Sequence, residues 1–379
     1  MASTEVPGLV RGLEGVIAAP TRICDLDGAN GRLAYGGYDI EDLAARATYE
    51  EVVYLLWRGD LPTEAQLSGL RAQLADARAV SPQLLDTLRL YPERSNAMAA
   101  LRAAIGQLGL YDPESEELSA EALRRIGVRL VAQMATVVAA IRRVQAGLAP
   151  VAPRAELGHA ANFLYMLSGS TPDPADARAL DVSLILYAEH EMNASTFAAR
   201  VVASTLSDLY SAATAGVAAI KGPLHGGAGE AVMRTLEEIG AEDNVEPFTL
   251  AALAQKRRFM GFGHRVYKAG DPRARILLRM AEEVCARHNE PRWLGIAKRL
   301  HAVVNREKGL HPNVDYYSAP LFHALGIPTE LNVPVITVAR IAGWTAQLFE
   351  QYADNRIFRP RAAYVGPGRR SYVALEERR

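Results

Sequence analysis

Apolar positions along most of the chain recur at helical spacing. Leu67, Leu70 and Leu74 follow the capping box Thr63-Glu-Ala-Gln66, and Thr48-Tyr-Glu-Glu51 opens an earlier stripe in the same way. Val232, Met233, Leu236 and Ile239 recur at i, i+1, i+4 and i+7 and stop at Gly240, while Ile276, Met280 and Val284 return every fourth residue. Such stripes predict amphipathic helices packed on a common core. Strand and turn character is confined to the first forty residues. There Asp25-Leu-Asp-Gly-Ala-Asn-Gly31 is dense in turn formers and Arg32 to Tyr38 can pair back across it, which predicts one small N-terminal β-hairpin. No series of strands alternates with helices, so a parallel α/β sheet is excluded and the fold class is all-α.

Glycine and proline interrupt the helical text at Lys221-Gly-Pro-Leu-His-Gly-Gly227, Met260-Gly-Phe-Gly-His264, Gly309-Leu-His-Pro-Asn313 and Gly326-Ile-Pro328. These breaks bracket a segment that reads as a smaller helical domain, 221–325, inserted into a large helical domain made of 1–220 and 326–379. A chain of 379 residues is long enough for about two domains. The tail after Gly366 is rich in Arg and Gly and reads as surface.

Charge narrows the partners. The chain has 42 Lys plus Arg against 43 Asp plus Glu, a net charge of −1, so no overall field draws it to nucleic acid or an anionic membrane, and an anionic ligand must be met by a local basic cluster. Cys24 and Cys285 are too few for a disulfide framework or a thiolate metal site, which fits a reducing cytoplasm. The N-terminus has neither a basic nor an apolar leader region, and the longest apolar run, near Met134 to Ile141, is well short of a membrane span. Gly261-Phe-Gly-His-Arg-Val266 lacks the third glycine of a dinucleotide fingerprint and follows no strand. His190-Glu191 lacks the second histidine of a zincin, and no metal-ligand cluster stands out.

Candidate chemistry gathers at the glycine-rich breaks. His225, His264 and His190 sit where backbone freedom lets a ligand approach ring and chain closely, although a solvated loop histidine is the commoner role for any one of them alone. Asp315 precedes helical text, where the commoner role is an N-cap. Arg273, Arg340 and Arg359 are of the residue type that grips a carboxylate through two parallel hydrogen bonds, though each is by default a surface charge.

Taken in order, several segments resemble the citrate synthase family over nearly the whole chain. They are Arg11-Gly-Leu-Glu-Gly-Val16, Gly36-Gly-Tyr-Asp-Ile40, Glu189-His-Glu-Met-Asn-Ala-Ser-Thr196, Lys221 to Gly227, Gly261-Phe-Gly-His-Arg-Val-Tyr-Lys268, Asp271-Pro-Arg273, Pro312-Asn-Val-Asp315 and Asn355-Arg-Ile-Phe-Arg-Pro-Arg361. Length and the lack of an N-terminal extension are similar to the short prokaryotic members. The resemblance implies a two-domain helical fold whose small domain closes over the active-site cleft. It implies catalysis by His225, His264 and Asp315, with oxaloacetate held by His190, Arg273, Arg340 and Arg359. The CoA site would be lined by Met260, Gly261, Gly263, Lys268, Lys308, Gly309 and Asn313. A homodimer is implied, with Arg359 contributed across the interface, and a CoA thioester as co-substrate with no tightly bound cofactor and no metal. Two positions depart from the family pattern. Gly227-Ala-Gly-Glu230 carries Gly229 where members usually have Asn, and Asn332-Val-Pro-Val-Ile336 lacks the expected aromatic residue.

The implied reaction is a Claisen-type acyl transfer of the tricarboxylic acid cycle: acetyl-CoA, oxaloacetate and water give citrate and CoA. The residues suit it, because turning a thioester methyl into a carbon nucleophile needs a base at the methyl and a hydrogen-bond donor at the carbonyl oxygen. Two alternatives accompany this reading: 2-methylcitrate synthase, which uses propionyl-CoA, and a non-catalytic scaffold of the same fold.

Overall fold

Both capping boxes form. Glu51 N–H donates to the Thr48 hydroxyl while the Glu51 carboxylate accepts from Thr48 N–H, and Thr63 with Gln66 repeats the exchange. The structure is a computed structural model that describes residues 8–268 and 270–378, and among them sixteen α-helices follow a small sheet. The sheet is antiparallel: β1 (Cys24–Asp27), β2 (Arg32–Tyr35) and β3 (Tyr38–Asp39), with Cys24 opposite Tyr35 and Tyr35 opposite Tyr38. The hairpin therefore gains a third short strand. Gly36 and Gly37, at φ of 55° and 89°, reverse the chain within the stretch from Arg32 to Tyr38 that the sequence predicts as one strand.

The first ten helices are α1 (Ile40–Arg46), α2 (Tyr49–Arg58), α3 (Glu64–Ala77), α4 (Pro82–Leu90), α5 (Ala97–Tyr111), α6 (Ala120–Gln145), α7 (His159–Ser168), α8 (Pro174–Tyr187), α9 (Ala194–Ala203) and α10 (Leu209–Ile220). Then come α11 (Ala228–Ile239), α12 (Val245–Ala254), α13 (Pro272–His288), α14 (Pro291–Lys308), α15 (Val314–Ala324) and α16 (Asn332–Ala353). Helix α16 is the axis of the core: every residue from Asn332 to Leu348 is buried, and α6, α8, α9 and α10 pack around it. Tyr49 fixes it from α2, its hydroxyl lying 3.0 and 2.9 Å from the carbonyls of Val338 and Ala339. Even so, among the described residues no helix is long and apolar enough to cross a membrane.

Helices α11 to α15 pack chiefly on one another. They meet the rest of the molecule where α13 rests on α1 and α8 and where α11 touches the start of α16. A large cavity opens along that junction.

Candidate active site

The cavity, of about 1610 Å³, is where the glycine-rich breaks converge. Its wall carries His190 from the turn after α8, His225 from the α10–α11 connection, His264 from the α12–α13 connection, Arg273 and Asp315 from the first turns of α13 and α15, and Arg340 from α16. Residues up to 150 positions apart, His190 and Arg340, are thus brought onto one surface.

Two of the histidines have defined tautomers. His264 Nδ1 accepts the N–H groups of Val266 at 3.1 Å and Tyr267 at 3.2 Å, so its proton belongs on Nε2. His225 Nε2 accepts the Ser195 N–H at 3.3 Å and lies 2.7 Å from Ser195 Oγ, which places its proton on Nδ1. Ser195 is itself fixed by Trp344, whose Nε1–H donates to Oγ at 3.2 Å. Burial, with Arg340 beside His225 and Arg273 beside His264, pushes both imidazoles down to about 4. Each is therefore a neutral donor at physiological pH. His190 is driven down by burial and by the same two arginines; its Nε2 lies 3.3 Å from the Tyr267 hydroxyl and its ring 5.2 Å from that of His264.

Asp315 is not the helix cap. Asn313 caps α15, accepting the Asp315 N–H at 3.1 Å, and its Nδ2 donates to the Gly263 carbonyl at 3.0 Å. With Gly263 N–H on the His311 carbonyl (2.8 Å) and Asn313 N–H on that of Gly261 (2.9 Å), the loop bearing His264 is stitched to the helix bearing Asp315. The Asp315 carboxylate accepts the Tyr187 hydroxyl at 2.9 Å, and burial raises it to about 6 against that bond and the pull of Arg273. It is ionised at neutral pH, yet far more basic than an exposed aspartate.

The two arginines differ. Arg273 is held by Asp271 through a buried two-bond pair, Nε to Oδ1 at 2.9 Å and Nη2 to Oδ2 at 2.8 Å. Arg340 donates Nε to the Tyr187 carbonyl at 2.6 Å, and no carboxylate lies within ion-pair distance of it among the described residues. A buried guanidinium with no carboxylate partner in a cavity wall is a receptor for an anion.

Of the residues expected at a CoA site, Met260, Gly261, Gly263, Lys308 and Asn313 line the cavity, whereas Lys268 and Gly309 do not. Lys268 is exposed, with Nζ on the Arg265 carbonyl at 3.3 Å, and Gly309 ends α14 in the left-handed region. Arg359 is exposed on the C-terminal segment and does not line this chain's cavity, with Nη1 donating to the Pro360 carbonyl. Sequence reading missed Tyr187, Ser195 and Tyr267, which orient the reactive groups, and the basic run Lys256-Arg-Arg258 on the rim, where Arg257 is paired with Glu238. Only that run left a signal, since three consecutive cations just after a helix invite a polyanion.

The family model described as "Citrate synthase, C-terminal domain" matches residues 12–361. Citrate synthase 2 of Bacillus subtilis is 47% identical over 369 residues, 97% of this chain and 99% of the relative. A 2-methylcitrate synthase of Mycobacterium tuberculosis is 42% identical over 362 residues, 96% and 92% of the two chains. Among solved structures, the citrate synthase of the thermophilic archaeon Thermoplasma acidophilum, in ternary complex with carboxymethyl coenzyme A and oxaloacetate, superposes with a TM-score of 0.91 at 34% identity, covering 97% of this chain and 98% of that one.

Proposed function

The chain belongs to the citrate synthase family, and from that premise we propose how this cavity condenses acetyl-CoA with oxaloacetate. Asp315 takes a proton from the thioester methyl while His225, through Nδ1–H, donates to the carbonyl oxygen on which charge gathers. The enol carbon bonds to the ketone carbon of oxaloacetate. His264 Nε2–H supports the ketone oxygen as it becomes an alkoxide, and His190, Arg273 and Arg340 hold the carboxylates so that one face is presented. Water then cleaves the thioester of citryl-CoA, releasing citrate and CoA. The observation that carries this reading is the pairing, on one wall, of a carboxylate raised to about 6 with two neutral histidines whose protons are fixed on Nδ1 and Nε2.

Lys256, Arg258 and Lys308 at the rim, with no ion-pair partner among the described residues, match the phosphates of CoA, and the backbone from Met260 to Gly263 matches its thioester arm. Residues 221–325 act as a small domain that closes on oxaloacetate over a large domain of 1–220 and 326–379, and the working unit is a homodimer in which Arg359 reaches the neighbouring site. Support for closure is that His225, His264 and Asp315 lie on one side of the junction and His190 and Arg340 on the other. Oxaloacetate at saturation contracts the particle in small-angle scattering if this is correct.

The test is thiol release from acetyl-CoA and from propionyl-CoA, each with and without oxaloacetate. Oxaloacetate-dependent release with acetyl-CoA at the higher kcat/KM supports citrate synthase. A reversed ratio assigns 2-methylcitrate synthase, a reading favoured by the mycobacterial relative, since one methylene changes pocket binding by only about 1–3 kcal/mol. No release with either thioester means a scaffold.

A further inference from the structure

Gly229, where the family usually has Asn, touches Asn332, the first residue of the segment that lacks the expected aromatic. A Cβ built on Gly229 would lie 3.6 Å from both Nδ2 and Cβ of Asn332, so the amide of Asn332 occupies the place toward which a side chain at 229 would grow. Asn332 is 2% exposed, its Oδ1 is buried with no hydrogen-bond partner, and its Nδ2 makes no hydrogen bond within the described residues. It begins α16, and Ile336 and Arg340, four and eight residues on, line the substrate cavity, so Asn332 stands on the same stripe of that helix. Opposite it, α11 starts three residues after His225 with Gly227 as a cap that offers no side-chain acceptor, and the N–H groups of Ala228, Gly229 and Glu230 have no acceptor among the described residues. A buried amide whose oxygen has no partner thus packs against an uncapped helix start across the junction between the α11–α15 group and α16. Val333, the next residue, packs on the His225 loop itself: its Cγ1 would be 2.9 Å from a Cβ at Gly226.

We propose that Asn332 is a positioning residue for His225: its amide, supplied from α16 in place of one at 229, caps the first turn of α11 when the cleft closes and so sets the imidazole over the thioester oxygen. This rests on the role given to His225 above. The arrangement gives the orphan oxygen a partner that exists only in the closed state, and it ties donor placement to domain movement.

The experiment compares Asn332→Leu, Asn332→Asp, Asn332→Ala and Gly229→Asn/Asn332→Ala with wild type and His225→Ala. It reads kcat, both KM values, melting temperature, and exchange of acetyl-CoA methyl protons with deuterated solvent in the presence of an unreactive oxaloacetate analogue. Asn332→Leu, of matching size, is expected to lose about 10²-fold in kcat and in exchange rate, since misplacing a catalytic group by about 1 Å costs that much, with the oxaloacetate KM unchanged. Asn332→Asp, which keeps acceptor oxygens at a helix N-terminus, is expected to stay within about tenfold of wild type. The double variant is expected to recover most of what Asn332→Ala loses, because an amide is again present at the contact. If Asn332→Leu does not fold, Asn332→Ala against the double variant decides. Wild-type exchange in Asn332→Leu or Asn332→Ala, or a double variant no better than Asn332→Ala, overturns the proposal. If His225→Ala itself exchanges at the wild-type rate, the role of His225 falls first.

Discussion

The Tyr187 hydroxyl hydrogen-bonds the Asp315 carboxylate at 2.9 Å, joining the last residue of α8 to the first turn of α15 across the cavity. The same residue's carbonyl holds Arg340 Nε at 2.6 Å. One tyrosine therefore sets both the base and an anion-binding guanidinium, one through its side chain and the other through its backbone.

Tyr187→Phe is expected to leave Arg340 in place and to raise Asp315 further, because the lost bond stabilised the ionised form. A bond to a charged group is worth enough to move a pKa by about one unit. The acid limb of kcat/KM against pH should then shift upward from near 6 by about that amount, with activity recovering in alkali. An unshifted limb would mean that Asp315 does not govern it. The histidines do not set this limb, since both titrate only at about 4.

Gly261 tests the stitch between the His264 loop and α15. At φ of 82° a side chain is strained there, and a Cβ would come within 2.6 Å of Val232 Cγ2 and 2.9 Å of Tyr316 Cδ2. Gly261→Ala should lose about 1–3 kcal/mol in denaturant unfolding, and more if Val232 cannot move. Activity should fall beyond what unfolding explains, since Gly261 supplies the carbonyl that anchors Asn313.

How much of this was legible in the chain follows from how each residue is punctuated. His225 and His264 sit among glycines that helices avoid, so they stood out, and convergence of their loops needed only the fold. Tyr187 ends a helix whose last ten residues are buried almost without exception, and nothing in an apolar run marks the one hydroxyl that meets a carboxylate. The capping choice at Asn313-Val-Asp315 could not be made from sequence because Asn and Asp are equally good caps; the hydrogen bond from the Asp315 N–H to Asn313 decides it. Gly229 is visible in the sequence as a departure and Asn332 only as the start of a segment lacking an aromatic, and a separation of 103 positions conceals that they are neighbours.

Arg359 is exposed and does not line the cavity of its own chain. Mixing Arg359→Ala subunits with His264→Ala subunits should restore partial activity, because one site of a heterodimer keeps both residues. Subunit exchange is verified first, by mass-labelled heterodimer. Failure to complement after exchange would remove Arg359 from any shared site.

Asp315→Asn separates chemistry from architecture most sharply, because Asn313 already caps the helix. The substitution should cost no cap, whereas Asn313→Ala should cost about 0.5–2 kcal/mol. The sign of the stability change follows from the carboxylate's raised pKa. The folded protein holds the Asp315 proton up to about 6, while the unfolded chain releases it near 3.8, so this group's contribution is intact below 3.8 and is lost as pH rises through 6. Asn never ionises and escapes that loss. Asp315→Asn should therefore melt at or above wild type at pH 7.5, by on the order of 2 kcal/mol, with the difference vanishing toward pH 4. Condensation should nonetheless fall by about 10²-fold or more, because an amide cannot accept the methyl proton, and exchange of acetyl-CoA methyl protons with deuterated solvent should stop while oxaloacetate still binds. A variant that is more stable and inactive is the signature of a buried base kept ionised at a cost to the fold. Near wild-type condensation by Asp315→Asn would instead require another proton acceptor in the cavity. Asp271, whose charge also acts on Asp315, is committed to Arg273 on both oxygens.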